Sequence, residues 1–235
     1  IETINRNLPI WSSYEPGSTF KILTLSAALN EGKVNLFEDT YYDTGGIKVG
    51  GSTLHCWKAG GHGFETFLEV VENSCNPGFV VLSNKLGKET LFNYIDKFGF
   101  GKKTGIDLNG ESKGIIFSLD KVGPLELATT GFGQGTAVSA IVNNGNMYTP
   151  FVVKSISDYE TGTILKETTP TLKSKNLITK ETSDMVKYAL ESVVANGSGH
   201  NAYIEGYRIG GKTGTSEDGV NTNKYVTSFC GVANT

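Results

Sequence analysis

The sequence predicts a mixed α/β fold of the α+β kind, built on an antiparallel sheet. Helical patterns crowd the first half of the chain, strand patterns gather toward its end, and no strict strand-helix-strand alternation joins them.

The first helix is the apolar run Ile22-Leu23-Thr24-Leu25-Ser26-Ala27-Ala28-Leu29, opened by the loop residues Pro16 and Gly17 and stopped by Gly32. Residues 35–63, rich in Gly, Asp, Thr and Tyr, carry no helical period and read as loop and short strands. Helices are expected over Phe64 to Glu72, Phe79 to Leu86 and Glu89 to Phe98, the last two closed by Gly87 and Gly99. The loop Asn73-Ser74-Cys75-Asn76-Pro77-Gly78 separates the first two. The Gly-rich run 99–105 lacks phosphate-loop spacing and reads as a connection.

Farther along, Thr130-Gly131-Phe132-Gly133-Gln134-Gly135 leads into an apolar run ending at Val142. The runs Phe151 to Ile156 and Thr163 to Lys166 flank Asp158-Tyr159-Glu160-Thr161-Gly162 as a hairpin. Thr179 caps a helix from Lys180 to Ala195, with Met185, Tyr188, Ala189 and Val193 as its inner face. Strands over Tyr207 to Ser216 and Lys224 to Val232 complete the reading.

At 235 residues, with 38% apolar and 19% charged side chains, the chain is globular and long enough to bury a core. A net charge of −3 and the lack of any Lys/Arg run argue against nucleic acid as a partner. No apolar stretch approaches the roughly 20 residues of a membrane span, and no signal-peptide pattern opens the chain. We expect it to come from a longer, anchored protein. Three cysteines are too few for a disulfide scaffold, and Cys230, in a strand-like run, reads as a small core residue.

Chemistry concentrates in Tyr14-Glu15-Pro16-Gly17-Ser18-Thr19-Phe20-Lys21. Ser18 and Lys21 are three residues apart, so one helix face carries both. A serine hydroxyl is a poor nucleophile until a base takes its proton, and an amine in a dry site has its pKa lowered enough to serve. Ser74 can relay a proton between Lys21 and a leaving group, and Asn76 can hold both Lys21 and a substrate amide. Lys212 offers a fixed positive charge to a substrate carboxylate, which the Thr213 and Thr215 hydroxyls can also bind. Gly214 leaves the strand bare for a substrate to lie along. The backbone N–H groups of Ser18 and Thr215 are candidates for an oxyanion hole.

The same short patterns recur at Ser118-Leu119-Asp120-Lys121, Ser174-Lys175-Asn176 and Lys103-Thr104-Gly105. Gly123-Pro124 denies Ser118 a long helix, Ser174 lies in a run that reads as solvated loop, and Lys103 follows no strand.

Ser-x-x-Lys, Ser-x-Asn and Lys-Thr-Gly in this order are the signature shared by class A β-lactamases and penicillin-binding proteins. With Gly61-His62-Gly63, Asn73-Ser74-Cys75-Asn76-Pro77, Phe98-Gly99-Phe100-Gly101, Thr104-Gly105-Ile106-Asp107 and Gly133-Gln134-Gly135, the chain resembles the transpeptidase domain of class B penicillin-binding proteins. That resemblance implies one transpeptidase domain over residues 1–235: an antiparallel β-sheet flanked by helices, with a helical subdomain, of the β-lactamase/transpeptidase-like fold. It also implies a final strand and C-terminal helix beyond Thr235, and residues lacking after Gly135. The implied activity is serine D,D-transpeptidation of peptidoglycan stem peptides ending in D-Ala-D-Ala, with acylation by β-lactam antibiotics and no cofactor. The implied setting is the extracytoplasmic face of a bacterial membrane, in an anchored protein within a cell-wall synthesis complex.

Two alternatives share the acylation machinery. A serine β-lactamase adds a carboxylate for deacylation, and the nearest match, Glu89-Thr90-Leu91-Phe92-Asn93, falls inside an amphipathic helix; a β-lactam-sensing domain is acylated and turns over nothing.

Beside the site, Cys56, Cys75, His55 and His62 form a local group. They read as unpaired side chains, as a Cys56–Cys75 disulfide, or as a structural zinc site with Cys56, Cys75 and His62 or His55, plus an oxygen ligand such as Asp43.

Overall fold

The computed structural model describes residues 7–12, 15–133, 141–217 and 224–234. Tyr14, Gln134 and Gly135 of the sequence motifs, and the run 136–140, lie outside the described residues.

Helix α1 covers Leu8–Trp11, and a 3₁₀ turn at Gly17–Phe20 feeds α2 at Lys21–Asn30. Strands β1 (Thr40–Asp43), β2 (Gly46–Val49), β3 (Ser52–His55) and β4 (Gly63–Thr66) follow, and then helices α3 (Phe67–Glu72), α4 (Asn76–Leu86), α5 (Lys88–Lys97) and α6 (Pro124–Gly133). Four short strands come next, β5 (Met147–Thr149), β6 (Ser155–Ser157), β7 (Ile164–Glu167) and β8 (Thr171–Ser174). Helix α7 spans Lys180–Asn196 and precedes β9 (Arg208–Glu217) and β10 (Tyr225–Asn234).

Helix α2 is mostly apolar and buried nearly all round, with Thr24 and Ser26 bonded to the carbonyls of Gly131 and Ile22, which places it at the centre of the fold rather than on its surface. Ile22, Leu23, Leu25, Ala27 and Ala28 are all buried, and α4, α5, α6 and α7 pack around them. The site is thereby tied to the core: the residue that opens α2 is Lys21.

Every strand pair among the described residues is antiparallel, as the sequence predicts. They form five two-stranded ribbons, the longest being β9–β10, which lies against α7 and the Gly17–Phe20 turn.

Several boundaries differ from the sequence reading. The helix expected from Phe64 starts at Phe67, because residues 63–66 pair with β1 and alternate: Phe64 faces solvent and Glu65 is buried. Thr66 and Glu69 then form a capping box, which fixes the start of α3. Asn76 belongs to α4 rather than the preceding loop, since Pro77 in the first turn needs no N–H partner. In α7, Val186 and Leu190 are buried, whereas Tyr188 turns outward and packs edge-on against Phe37. Ser174 ends a strand, β8, instead of lying in a loop, and β5 pairs with it. Cys230 is half-buried and packs against the core.

Candidate active site

Ser18 lies on the 3₁₀ turn, not on α2, and Lys21 is the first residue of the helix. With three residues per turn, a 3₁₀ turn eclipses positions i and i+3, so both side chains still project together. Thr19 Oγ1 donates to the carbonyl of Pro16 at 2.8 Å and closes the loop ahead of the serine.

The turn is pressed onto β9. A Cβ at Gly17, whose φ is +55°, would lie 2.5 Å from the carbonyl oxygen of Thr215, and one at Gly214 would lie 2.5 Å from that of Pro16. Only bare backbone on both sides permits this approach. The sequence reading kept Gly214 free for a substrate; in the structure its open face is occupied by Pro16 and by Oγ of Ser228.

Lys21 is fully buried. Its Nζ lies 2.7 Å from the backbone oxygen of Ser74, 3.1 Å from Ser74 Oγ and 2.7 Å from Asn76 Oδ1, over the ring of Phe79. Burial holds its pKa well below the usual lysine value, and the positive charge of Lys212 lowers it further. Two of its three partners are carbonyl oxygens, which only accept. A neutral amine satisfies both with its two N–H bonds and keeps its lone pair for a hydroxyl proton.

Ser74 can meet Lys21 because its backbone is left-handed, at φ +52°. Such a conformation is costly for serine, and here the C-terminal cap of α3 enforces it: the Ser74 N–H donates to the carbonyl of Val71 at 3.1 Å and the Cys75 N–H to that of Val70 at 3.0 Å. Asn76 Nδ2 donates to the carbonyl of His55 at 3.3 Å, which turns its Oδ1 toward Lys21.

On β9, Lys212 points into the protein and Thr213 and Thr215 share the opposite face, as strand alternation requires. The Lys212 ammonium donates to the backbone oxygen of Thr213 at 3.2 Å. Desolvation brings its pKa down to about 7.

Behind the Ser74 turn sits a buried polar cluster. The ligand atoms of Asp43, Cys56, His62 and Cys75 all lie within 4.8 Å of one another. Asp43 Oδ2 accepts from the backbone N–H of His62 at 3.0 Å and from the Cys75 thiol at 3.4 Å, and lies 2.9 Å from His62 Nδ1. Cys56 Sγ is 3.4 Å from the same nitrogen. Burial raises the Asp43 carboxyl, but hydrogen bonds from Gly45, Cys56 and His62 outweigh it and hold the pKa at about 2. Burial pushes both the Cys56 and Cys75 thiols up. All three cysteines are free. His55, the alternate ligand, stands outside the cluster at the exposed end of β3.

The structure therefore brings Lys21, Ser74 and Asn76 together, sets the Ser18 turn against the strand carrying Lys212, Thr213, Gly214 and Thr215, and gathers Asp43, Cys56, His62 and Cys75 behind. The decoys stay apart: Ser118 and Lys121 are exposed around a short 3₁₀ turn, and Lys103 is exposed in a connection. Glu89 lines a groove with Phe92, Phe100 and Ile116 that none of Ser18, Lys21, Ser74 or Asn76 enters. Three neighbours escaped the sequence reading. Phe79 lies beneath Lys21, Trp57 donates its indole N–H to the carbonyl of Asn73 at 2.8 Å, and buried Glu65 accepts from Asn73 Nδ2 at 2.7 Å. Only Phe79 left a signal, three positions beyond Asn76 on the same helix.

A serine on the turn ahead of a central helix, a buried amine opening that helix and a second amine on the facing strand together define the active-site-serine class of β-lactamase-like folds. The chain belongs, within that class, to the penicillin-binding protein transpeptidase domain family, whose model matches residues 2–235. It is 57% identical over 242 residues to stage V sporulation protein D of Bacillus subtilis, covering 97% of this chain and 37% of that protein. Among solved structures, the D,D-transpeptidase domain of a peptidoglycan glycosyltransferase from Eggerthella lenta is similar at TM-score 0.84 and 27% identity, over 95% of this chain and 58% of that one. Penicillin-binding protein 3 of Mycobacterium tuberculosis, complexed with ampicillin, is similar at TM-score 0.83 and 28% identity, over 95% of this chain and 54% of that one. The chain thus spans well under half the length of the Bacillus relative.

Proposed function

We propose that this domain catalyses D,D-transpeptidation: Ser18 attacks the peptide bond of a stem peptide's terminal D-Ala-D-Ala, D-alanine leaves, and an amine of a second stem peptide takes the acyl group. The observation that carries the reading is Lys21. It is buried, short of its usual proton affinity and held by two acceptor-only carbonyls, so it is set to take the Ser18 proton. Ser74, hydrogen-bonded to the same amine, passes that proton to the departing nitrogen. Although its stem is buried, Lys212 brings Nζ to 3.5 Å from Thr213 Oγ1, so the amine and the Thr213 and Thr215 hydroxyls bind the terminal carboxylate together. The family membership and a solved relative bearing ampicillin support acylation of Ser18 by β-lactams as well.

Release of D-alanine from a pentapeptide by the full-length protein, with and without an amine acceptor, tests this. A transpeptidase forms the acceptor-linked product. A β-lactamase would hydrolyse the antibiotic instead, and a sensor would release nothing. The groove-bound position of Glu89 supports the transpeptidase over the β-lactamase.

Because this substrate lies outside the cytoplasm, we also propose that the parent protein works on the extracytoplasmic face of the membrane, membrane-anchored and within a cell-wall synthesis complex. No helix among the described residues is long and apolar enough to cross a membrane.

We further propose a structural Zn²⁺ held by Asp43, Cys56, His62 and Cys75. The separations of 2.9 and 3.4 Å among these atoms approach the donor spacings, about 3.3–3.8 Å, of a tetrahedral zinc site with two sulfurs. Nδ1 of His62 faces both Cys56 and Asp43, and Oε2 of Glu65 lies 4.0 Å from the same nitrogen without a hydrogen-bond partner. The ion takes no part in acylation.

A further inference from the structure

The catalytic groups are anchored from inside by α2 and from one side by β9. The left-handed Ser74 turn is also held from outside, by the segment His55-Cys56-Trp57 at the end of β3.

Three consecutive residues of that segment grip the turn in different ways. The carbonyl of His55 accepts from Asn76 Nδ2 at 3.3 Å, the Cys56 thiol enters the buried cluster that also receives Cys75, and the indole N–H of Trp57 donates to the carbonyl of Asn73 at 2.8 Å. Asn73 and Asn76 bracket Ser74 and Cys75, so the segment holds both ends of the turn.

The Trp57 bond has a specific consequence. Asn73 and Ser74 are successive residues, and the left-handed φ of Ser74 turns their carbonyls toward different donors: that of Asn73 to Trp57, that of Ser74 to Lys21 at 2.7 Å. The C-terminal cap of α3 sets that φ, with the Ser74 N–H donating to the carbonyl of Val71 at 3.1 Å and the Cys75 N–H to that of Val70 at 3.0 Å, and the Trp57 bond fixes the tilt of the Asn73–Ser74 peptide within the cap. Without that bond the peptide can tilt, and the Ser74 oxygen and hydroxyl would shift on Lys21 together. Trp57 has little other reason for its place. The residue is 63% exposed, an unfavourable setting for so large an apolar side chain, and its ring meets that of His62 edge-on at 5.3 Å.

We propose that Trp57 is a positioning residue for the acylation step, which acts by donating its indole N–H to Asn73 and so fixing the tilt of the Asn73–Ser74 peptide that sets Ser74 against Lys21. Its hydrogen bond and ring contact go to Asn73 and His62. This inference rests on the reading of Ser18 as the acylated nucleophile.

The test measures acylation of the full-length protein by a fluorescent penicillin, resolving the first-order acylation rate from the initial binding constant. Three proteins are compared: wild type, Trp57→Phe, and a variant with β-(3-benzothienyl)alanine at position 57, which keeps the bicyclic ring but replaces the N–H with sulfur. Loss of one neutral hydrogen bond should slow the acylation rate of both variants by about 3- to 10-fold. Binding constants and melting temperatures should stay near wild type, because the ring is exposed and packs on little. Equal acylation rates in all three proteins would overturn the proposal. So would a loss seen with Trp57→Phe but not with the benzothienyl residue, which would assign the effect to ring packing, and so would a loss confined to the binding constant. If the wild type itself is not acylated, the reading of Ser18 fails, and that outcome is distinct from the others.

Discussion

Nζ of Lys21 stands 2.7 Å from Oδ1 of Asn76, and the other end of that amide is held by the carbonyl of His55. The amide thus faces the amine with an oxygen that accepts and carries no charge. A carboxylate in its place would stabilise the ammonium form.

Asn76→Asp should therefore raise the Lys21 pKa, by about 1–3 units for an opposite charge in contact. Because the base must be neutral to take the Ser18 proton, the ascending limb of the acylation rate against pH moves to higher pH by that amount. Asn76→Ala, which removes the contact without adding charge, should slow acylation about 100-fold with much less displacement of the limb. Stopped-flow acylation across a pH series reads both.

Lys212 is charged below its native pKa of about 7 and neutral above it, while in the unfolded chain it titrates near 10.5. Between these values the unfolded state binds the extra proton, so stability rises with pH across the window. The cost of burying its charge is fully present below pH 7 and is relieved above it. Lys212→Met should flatten this rise by up to about 1.4 kcal/mol per pH unit, read from urea midpoints at pH 7 and pH 9. Lys21, with its pKa lowered in the same direction, leaves a residual slope in the variant.

Gly17→Ala and Gly214→Ala each place a methyl group 2.5 Å from a backbone oxygen across the contact between turn and strand. Overpacking of this kind costs about 1–3 kcal/mol. Displacement of the nucleophile by even 1 Å costs about 100-fold in rate. We expect a lowered melting temperature and a larger loss in acylation than in folding. A Gly214→Ala protein that acylates at the wild-type rate would show that the strand is bare for another reason.

Protein purified under reducing conditions should carry about one zinc ion per chain, and Cys56→Ser or His62→Ala should remove it. His55→Ala should not, since that side chain lies outside the cluster. Mass spectrometry under native conditions, together with elemental analysis, decides the matter; metal-free wild type ends the proposal.

Much of this was legible in the sequence because the motifs coincide with strong local signals. The apolar run from Ile22 forms a buried helix wherever it is placed, and Lys212 follows Tyr207-Arg208-Ile209-Gly210-Gly211 into a strand. The choice among Cys56, Cys75, His62, His55 and Asp43 was not legible. It depends on the fold of residues 59–63, where Gly61 approaches Asp43 so closely that a Cβ would sit 2.3 Å from its carbonyl oxygen, bringing His62 inward while His55 remains at a strand end. Trp57 and Glu65 escaped because their partners, Asn73 and the Ser74 turn, are reached through tertiary contacts that no spacing encodes. The strand at residues 63–66 was hidden by its direct continuation into α3, with only the Thr66 and Glu69 capping pair to mark the break.

The central claim is that Ser18 is the nucleophile that Lys21 activates. The full-length protein incubated with benzylpenicillin, digested and sequenced by tandem mass spectrometry, tests it directly, with Ser118 of the matching Ser-x-x-Lys pattern as the internal control. We expect a single penicilloyl adduct on Ser18, abolished by Ser18→Ala and strongly slowed by Lys21→Ala. An adduct on Ser118, or no adduct under conditions where the protein is folded, would contradict the assignment.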